Sequence, residues 1–225
     1  MAGFRYPISL EVEGRRCIVV GGGVVAEHKV RALLDARADV VVVAETCTSG
    51  MEGLQAAGAL SFVRRDYVEG DLSGAFLAIA ATDQSAVNAA VYEEGERANV
   101  LVNSVDDVEH CHFAVPSVVR RGDLTLTVAT GGKAPALAKK LRRELLRQFG
   151  PEYVDVVELV GEVRRQAQPQ RGQVDFDTWA ARWERALDDD VVALVKNGRI
   201  EAARARLLSA LGMPARDFVN EGTSP

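Results

Sequence analysis

Gly21, Gly23 and Ala26 carry the clearest chemistry in this chain of 225 residues. They stand as Gly21-x-Gly23-x-x-Ala26, directly after the apolar run Cys17-Ile18-Val19-Val20. A helical pattern follows at once, with Ala26, Val30, Leu33 and Leu34 on one face. This is the dinucleotide-binding fingerprint in the strand–turn–helix setting that it requires. Gly21 permits the tight turn, Gly23 lets the main chain approach a pyrophosphate, and the small Ala26 lets the helix pack on the strand. The turn and helix start, Gly21, Gly22, Gly23, Val24 and Val25, then offer free N–H groups and a positive dipole end to phosphate. The competing account is a bare flexible turn. The strand before it and the helix after it favour nucleotide binding.

The elements around the fingerprint repeat its logic. Residues 39–44 form a β-branched run of the kind buried on both faces of a sheet. Further strands are predicted at 60–63, 76–81 and 100–102, with a helix carrying Val87, Ala90 and Val91 between the last two. Strand–helix alternation predicts a parallel, doubly wound sheet, which binds ligands beyond the carboxyl ends of its strands. Gly21–Gly23, the Ala81-Thr82-Asp83 turn and 103–106 all fall there. Ala81 and Thr82 wall a nicotinamide ribose on this reading, or simply end a strand and cap a helix. Asn103 is a cofactor contact or a strand terminator. Glu45, after the second strand, stands near the position from which an acidic residue binds adenine ribose hydroxyls and disfavours NADP, with surface charge as the alternative.

Beyond residue 111 the pattern changes. Segments 112–116 and 124–129 read as two strands joined by a turn at 120–123. A helix follows with Leu137, Leu141, Leu145 and Phe149 along one stripe, stopped by Gly150-Pro151. A hairpin and one helix cannot stand alone, so they pack on the first domain or on a second copy. The remainder reads as helical. Its stripes are Tyr153, Val156, Val157, Val160 and Val163, then Trp179, Trp183 and Leu187, then Ile200, Ala203, Leu207, Leu208 and Leu211. A loop is expected at 166–175 and a frayed tail from Met213 onward. The expected architecture is α/β: a Rossmann-type domain at 1–115, a hairpin-plus-helix segment at 116–150 and a helical domain at 151–225.

Composition sets the limits. A net charge of −5 gives no sign of nucleic acid or of a membrane surface as partner. No run reaches the roughly 18 apolar residues of a membrane span. The opening Met1-Ala2-Gly3-Phe4-Arg5-Tyr6-Pro7 has no apolar core of signal-peptide length, so a cytoplasmic location is expected. Cys17, Cys47 and Cys111 are scattered and form no CxxC pair, which reads as buried or partly buried thiols in a reducing cytoplasm. In a strand, His110 and His112 would share a face with Cys111 opposite, giving two ligands where a closed zinc site wants four, so no resident metal is expected.

Taken in order, Val-Gly-Gly-Gly-x-Val-Ala-x-x-Lys at 20–29, Ala-Ala-Thr-Asp at 80–83, Asn-x-Val-Asp at 103–106, Phe-x-x-Pro-Ser at 113–117 and Gly-Gly-x-x-Pro at 131–135 resemble the precorrin-2 dehydrogenases. That family also forms the N-terminal half of sirohaem synthase. The resemblance covers roughly residues 4 to 165 well and the last helices more loosely. It implies NAD as cofactor, precorrin-2 as substrate, sirohydrochlorin as product and a homodimer joined through the hairpin and helix. Some members also insert iron or cobalt, so a bifunctional dehydrogenase and chelatase is the nearest alternative. A nucleotide-sensing regulatory module is the alternative of another class, and it leaves the later motifs unexplained.

The resemblance also ranks residues. Asp106 matches the aspartate that the family places in Asn-x-Val-Asp, and a carboxylate there is a sensible general base for protons leaving the macrocycle. Without the resemblance it reads as a solvated loop start. A base working near pH 7 would want burial or a neighbouring negative charge beside it, and Asp107 is one candidate for the latter. Thr130 matches a hydroxyl residue facing the substrate cleft, and Gly131 and Gly132 allow close approach of a tetrapyrrole, or each of them merely makes a turn. Lys133, with Lys139, Lys140, Arg142, Arg143 and Arg147, forms a basic cluster in an acidic protein. It suits a polycarboxylate substrate, or is a solvated helix face.

Overall fold

The computed structural model describes residues 6–107 and 109–213. The start of the chain and the tail expected beyond Met213 lie outside them. Contacts divide the chain into two compact units, meeting in sequence at Val115 and Pro116.

The first unit is a parallel five-stranded sheet. Its strands are β1 (Arg16–Val20), β2 (Asp39–Val43), β3 (Ser61–Val63), β4 (Leu77–Ala80) and β5 (Leu101–Ser104), in the order β3-β2-β1-β4-β5. Helices α1 (Val24–Asp35), α2 (Ser49–Ala56) and α3 (Ser85–Ala98) connect them. The strands read as continuous apolar runs because both faces are covered. Val19, Val40, Val42 and Ile79 pack into one core with Ala26 and Val30 of α1 and Met51 of α2. The alternate residues Ile18, Val20, Val41, Ala78 and Ala80 pack into a second core with Leu72 and Val91 of α3. β1 sits at the centre, and the chain winds outward from it on either side. That reversal of winding direction opens a crevice at the carboxyl ends of β1 and β4.

The second unit begins with an antiparallel hairpin, β6 (Ser117–Arg121) and β7 (Leu124–Val128), followed by α4 (Pro135–Gln148). Helices α5 (Tyr153–Ala167), α6 (Phe176–Ala186), α7 (Asp189–Lys196) and α8 (Ile200–Ala210) complete it. Val163, Ala203, Leu207 and Leu211 are fully buried among them. Truncating Leu207 to Ala would cost about 2–5 kcal/mol. Asp175 and Asp188 cap α6 and α7, accepting from the N–H of Thr178 (2.9 Å) and Val191 (3.1 Å).

Two expectations need correction. The first hairpin strand is β6, not 112–116. The tight turn at Gly122 (φ 56°) and Asp123 sets Arg121 opposite Leu124 and Ser117 opposite Val128, so 112–116 falls outside the ladder. Pro116 also lacks the N–H that a ladder uses. The segment before it folds back on β5 instead, through a single bridge between Asn103 and Cys111 and the His112 N–H to Val102 carbonyl bond (2.8 Å). The loop expected at 166–175 begins late: α5 runs to Ala167 and a 3-10 turn spans Gln168–Gln173, with Pro169 in its first turn, where a missing N–H costs nothing. The α4 stripe is covered only in part, with Leu137 47% exposed and Ala138 the buried residue of that helix.

Candidate active site

At the carboxyl ends of the five strands lies a cleft of about 730 Å³. The turn after β1 forms its floor, and two of its glycines are dictated by the neighbouring chain. A Cβ on Gly21 (φ 125°) would lie 2.4 Å from the carbonyl oxygen of Ala81, beyond β4. A Cβ on Gly22 would lie 1.7 Å from the carbonyl oxygen of Thr46, beyond β2. Gly22 is therefore a packing glycine as well as a lining one, a role the fingerprint did not reveal. Around Gly23 the space is open.

Gly23 caps α1 with no side-chain bond, and the first helical rung is Glu27 N–H to the Gly23 carbonyl (3.0 Å). The N–H groups of Val24, Val25 and Ala26 precede that rung and have no helical acceptor. Val24 and Val25 line the cleft with apolar side chains 63% and 47% exposed. An open position at Gly23 and an uncapped helix start fit the pyrophosphate of a dinucleotide. The residues present suit NAD(P).

Of the other candidates, Glu45, Ala81, Thr82 and Asp106 line the same cleft. Thr82 is fixed by Asn88, whose Oδ1 accepts from the Thr82 N–H (3.3 Å) and hydroxyl (2.7 Å) and whose Nδ2 donates to the Thr82 carbonyl (3.1 Å). The Thr82 hydroxyl also accepts from the Gln84 N–H (3.1 Å), turning the chain into α3. Asn88 is buried, so this bracket holds the β4 end rigid.

Asp106 follows β5 in the left-handed region (φ 60°), a conformation that Asp and Asn tolerate better than other side-chain-bearing residues. It is exposed at the edge of the cleft. Asp107 turns to His110, with Oδ2 2.6 Å from Nδ1. That hydrogen bond is the main cause holding the Asp107 carboxyl below its ordinary range. Lys29 of α1 is half-buried. Burial pushes its ammonium pKa down, while the charge of Asp106 pulls it back up.

Asn103 is not among the cleft-lining residues. It is buried, and its amide donates to the Phe113 carbonyl (3.0 Å) and to Cys111 Sγ (3.4 Å). His112 accepts the Val102 N–H at Nδ1 (2.9 Å) and turns Nε2 to Glu96, while both His110 and His112 pack on Tyr92. Thr130, Gly131, Gly132 and Lys133 belong to the second unit, in the turn before α4. Gly131 (φ 61°) and Gly132 (φ 79°) both need left-handed backbone there, and the Thr130 hydroxyl accepts from the Ala134 N–H (3.3 Å).

Sequence reasoning missed Thr46, Thr48, Asp66, Tyr67 and Gln84, which also line the cleft. Each lies within five residues of a strand's carboxyl end, and that position was the signal available. Among the described residues, Glu45, Asp66, Asp83 and Asp106 line the cleft and no lysine or arginine does.

Residues 8–117 match the family described as "Putative NAD(P)-binding", and residues 121–148 match "Sirohaem biosynthesis protein central". The siroheme synthase of Photobacterium profundum is 37% identical over 204 residues, covering 90% of this chain and 43% of that protein. This chain is thus similar to a siroheme synthase over nine-tenths of its own length. A siroheme synthase of Serratia proteamaculans is 34% identical over 217 residues, covering 96% of this chain and 45% of that protein. The chain thus spans less than half the length of these relatives. The fold is also that of a solved structure titled "SirC, precorrin-2 dehydrogenase", with a TM-score of 0.71, 24% identity and coverage of 92% of this chain and 99% of the other. Among the described residues, no helix is long and apolar enough to cross a membrane.

Proposed function

We propose that this chain oxidises precorrin-2 to sirohydrochlorin with NAD, as a cytoplasmic homodimer. The observation that carries the reading is the cleft itself: one cavity lined by the glycine turn, the uncapped start of α1 and the carboxylate of Asp106.

Gly21, Gly22, Gly23 and the first turn of α1 would hold the pyrophosphate through main-chain N–H groups. NAD rather than NADP is favoured because a 2′-phosphate would enter a cleft lined by carboxylates and by no cation. When bound, NAD supplies a hydride acceptor. Asp106 takes a proton from the macrocycle as general base, and its position at the rim lets that proton pass to water. Ala81 and Thr82, held by Asn88, wall the reacting end.

The same acidic lining repels a polycarboxylate, so the substrate's acid groups need cations from elsewhere. Lys133, Lys139, Lys140, Arg142, Arg143 and Arg147, with Thr130, Gly131 and Gly132 in the turn that carries Lys133, are the candidate substrate-binding residues of the second unit by their charge and by the resemblance. The exposed Leu137 and Leu146 on α4 support the 116–150 segment as the dimer contact.

The test is an anaerobic assay with precorrin-2 and NAD, following sirohydrochlorin by its spectrum. Asp106→Asn keeps the size and the tolerance of left-handed backbone. It is expected to lower kcat at least 100-fold, the usual span for a lost general base, with NAD affinity unchanged. NAD binding without turnover by the wild type would instead favour a sensor. Adding Co²⁺ or Fe²⁺ to the product separates a chelatase from a dehydrogenase alone.

A further inference from the structure

Tyr67 lines the cleft from the loop after β3, and nothing assigned so far uses it. Its hydroxyl donates to Glu94 of α3, a carboxylate only 6% exposed. The other oxygen of Glu94 accepts the Leu72 N–H (3.0 Å), so the loop is tied at Tyr67 and at Leu72 to one buried acid. Within the loop, Asp71 accepts twice from Arg65 (2.7 and 2.5 Å) and once from the Val68 N–H (2.9 Å). Buried acids are costly unless every oxygen is satisfied, and this one is satisfied by holding an aromatic ring at a cavity wall. Val87 of α3, which packs in the same core as Tyr67, also lines the cleft.

Strand order says which end of the cleft this is. The glycine turn is central, Asp106 follows β5 at one side, and Glu45 and Tyr67 follow β2 and β3 at the other. A dinucleotide with its pyrophosphate on the glycines extends one nucleoside towards each side. With the reacting half beside Asp106, the adenosine half faces Tyr67.

We propose that Tyr67, fixed in place by Glu94, is the aromatic wall for the adenine ring and a determinant of dinucleotide affinity. The proposal rests on the reading of the cleft as an NAD site. An adenine face against a tyrosine ring is sequence-distant from the phosphate contacts and additive to them, since stacking needs no charge.

Calorimetry with NAD and with ADP-ribose, which lacks nicotinamide, tests this without any turnover. Tyr67→Phe keeps the ring but loses the hydroxyl's bond to Glu94, and is expected to weaken both ligands by the same factor, a smaller one than Tyr67→Leu gives. Tyr67→Leu keeps much of the bulk without the ring, and is expected to weaken both ligands by the same factor, about tenfold. Wild-type protein with isotope-labelled tyrosine should also show NOEs from a tyrosine ring to adenine H2 or H8, a readout independent of how well the variants fold. Wild type that binds neither ligand overturns the NAD reading of the cleft and this proposal with it. Wild type that binds both, with no such NOEs or with a folded Tyr67→Leu that binds ADP-ribose within twofold of normal, overturns the adenine wall alone.

Discussion

The side-chain amide of Asn103 donates to the carbonyl of Phe113 across 3.0 Å, tying the end of β5 to a segment ten residues further along the chain. The same amide reaches Cys111 Sγ at 3.4 Å, and Cys111 in turn bonds the Ser104 N–H (3.2 Å). These contacts close the loop that carries Asp106. Asn103→Ala removes a buried donor and leaves the Phe113 carbonyl short of a partner, so it is expected to cost about 1–2 kcal/mol in urea unfolding. NAD affinity, read by calorimetry, should stay within twofold. A tenfold loss of affinity at unchanged stability would make Asn103 a direct cofactor contact instead.

The three glycines of the turn should fail differently. Gly22→Ala drives a Cβ to 1.7 Å from a main-chain oxygen, and Gly21→Ala adds a 2.4 Å clash to a φ of 125°. Neither neighbour is a flexible side-chain end, so both variants are expected to lose the folded state or several degrees of Tm. Gly23→Ala meets open space and adopts ordinary extended backbone (φ −80°, ψ −179°), so its Tm should be close to wild type. Its methyl group then stands where phosphate must approach, and NAD affinity should fall at least tenfold. Thermal melts with and without NAD separate the two effects: only Gly23→Ala should melt normally alone and gain little from ligand.

How far the sequence carried the fold follows from how each element earns its stability. β1, β2 and β4 are buried on both faces, and that demands the β-branched and apolar runs visible at 16–20, 39–43 and 77–80. α2 was invisible because its eight residues include Gly50 and Gly53, and it is fixed by tertiary packing of Met51 and by the Thr48 cap (3.2 Å to the Met51 N–H) rather than by propensity. α7 was missed for its brevity too, although Asp188 before an apolar run was a usable cap signal. The first hairpin strand was misplaced because turn geometry, not apolar content, sets register. Of the cleft-lining residues, the glycine turn was expected from a short motif and Asp106 from the resemblance alone. Tyr67 was not, since its place in the cleft depends on a buried acid 27 residues away.

Acid should loosen the loop that carries Tyr67. The Asp71 carboxyl is held below its ordinary value of 3.8, chiefly by its hydrogen bond from Arg65, which outweighs the opposing effect of burial, with a lesser contribution from the Val68 N–H. A carboxyl with a depressed folded pKa stabilises the fold fully above its unfolded value and loses that contribution as pH falls through the folded one. The Arg65–Asp71 contribution is therefore present at pH 7 and fades below about pH 4. Asp71→Asn should lower urea-unfolding stability at pH 7, and the gap from wild type should narrow steadily as the pH falls below about 4. A gap that stays constant with pH would mean that the pair contributes by packing rather than by charge.

Thiol labelling reports on the cleft without substrate. Cys17 is fully buried, and burial pushes its thiol up to about 11, so it should resist N-ethylmaleimide in the folded protein at pH 7.5. Cys47 is half-buried and lines the cleft after β2, with its thiol also pushed up, chiefly by burial. It should react slowly, and a bound dinucleotide should cover it. Cys111 is half-buried and does not line the cleft, so it serves as the internal control. Peptide mass spectrometry across a time course should show saturating NAD slowing the labelling of Cys47 at least fivefold while leaving the rate at Cys111 unchanged. Equal slowing at both cysteines would point to global tightening of the fold, and no slowing at Cys47 would mean that the adenosine half lies away from the β2 end.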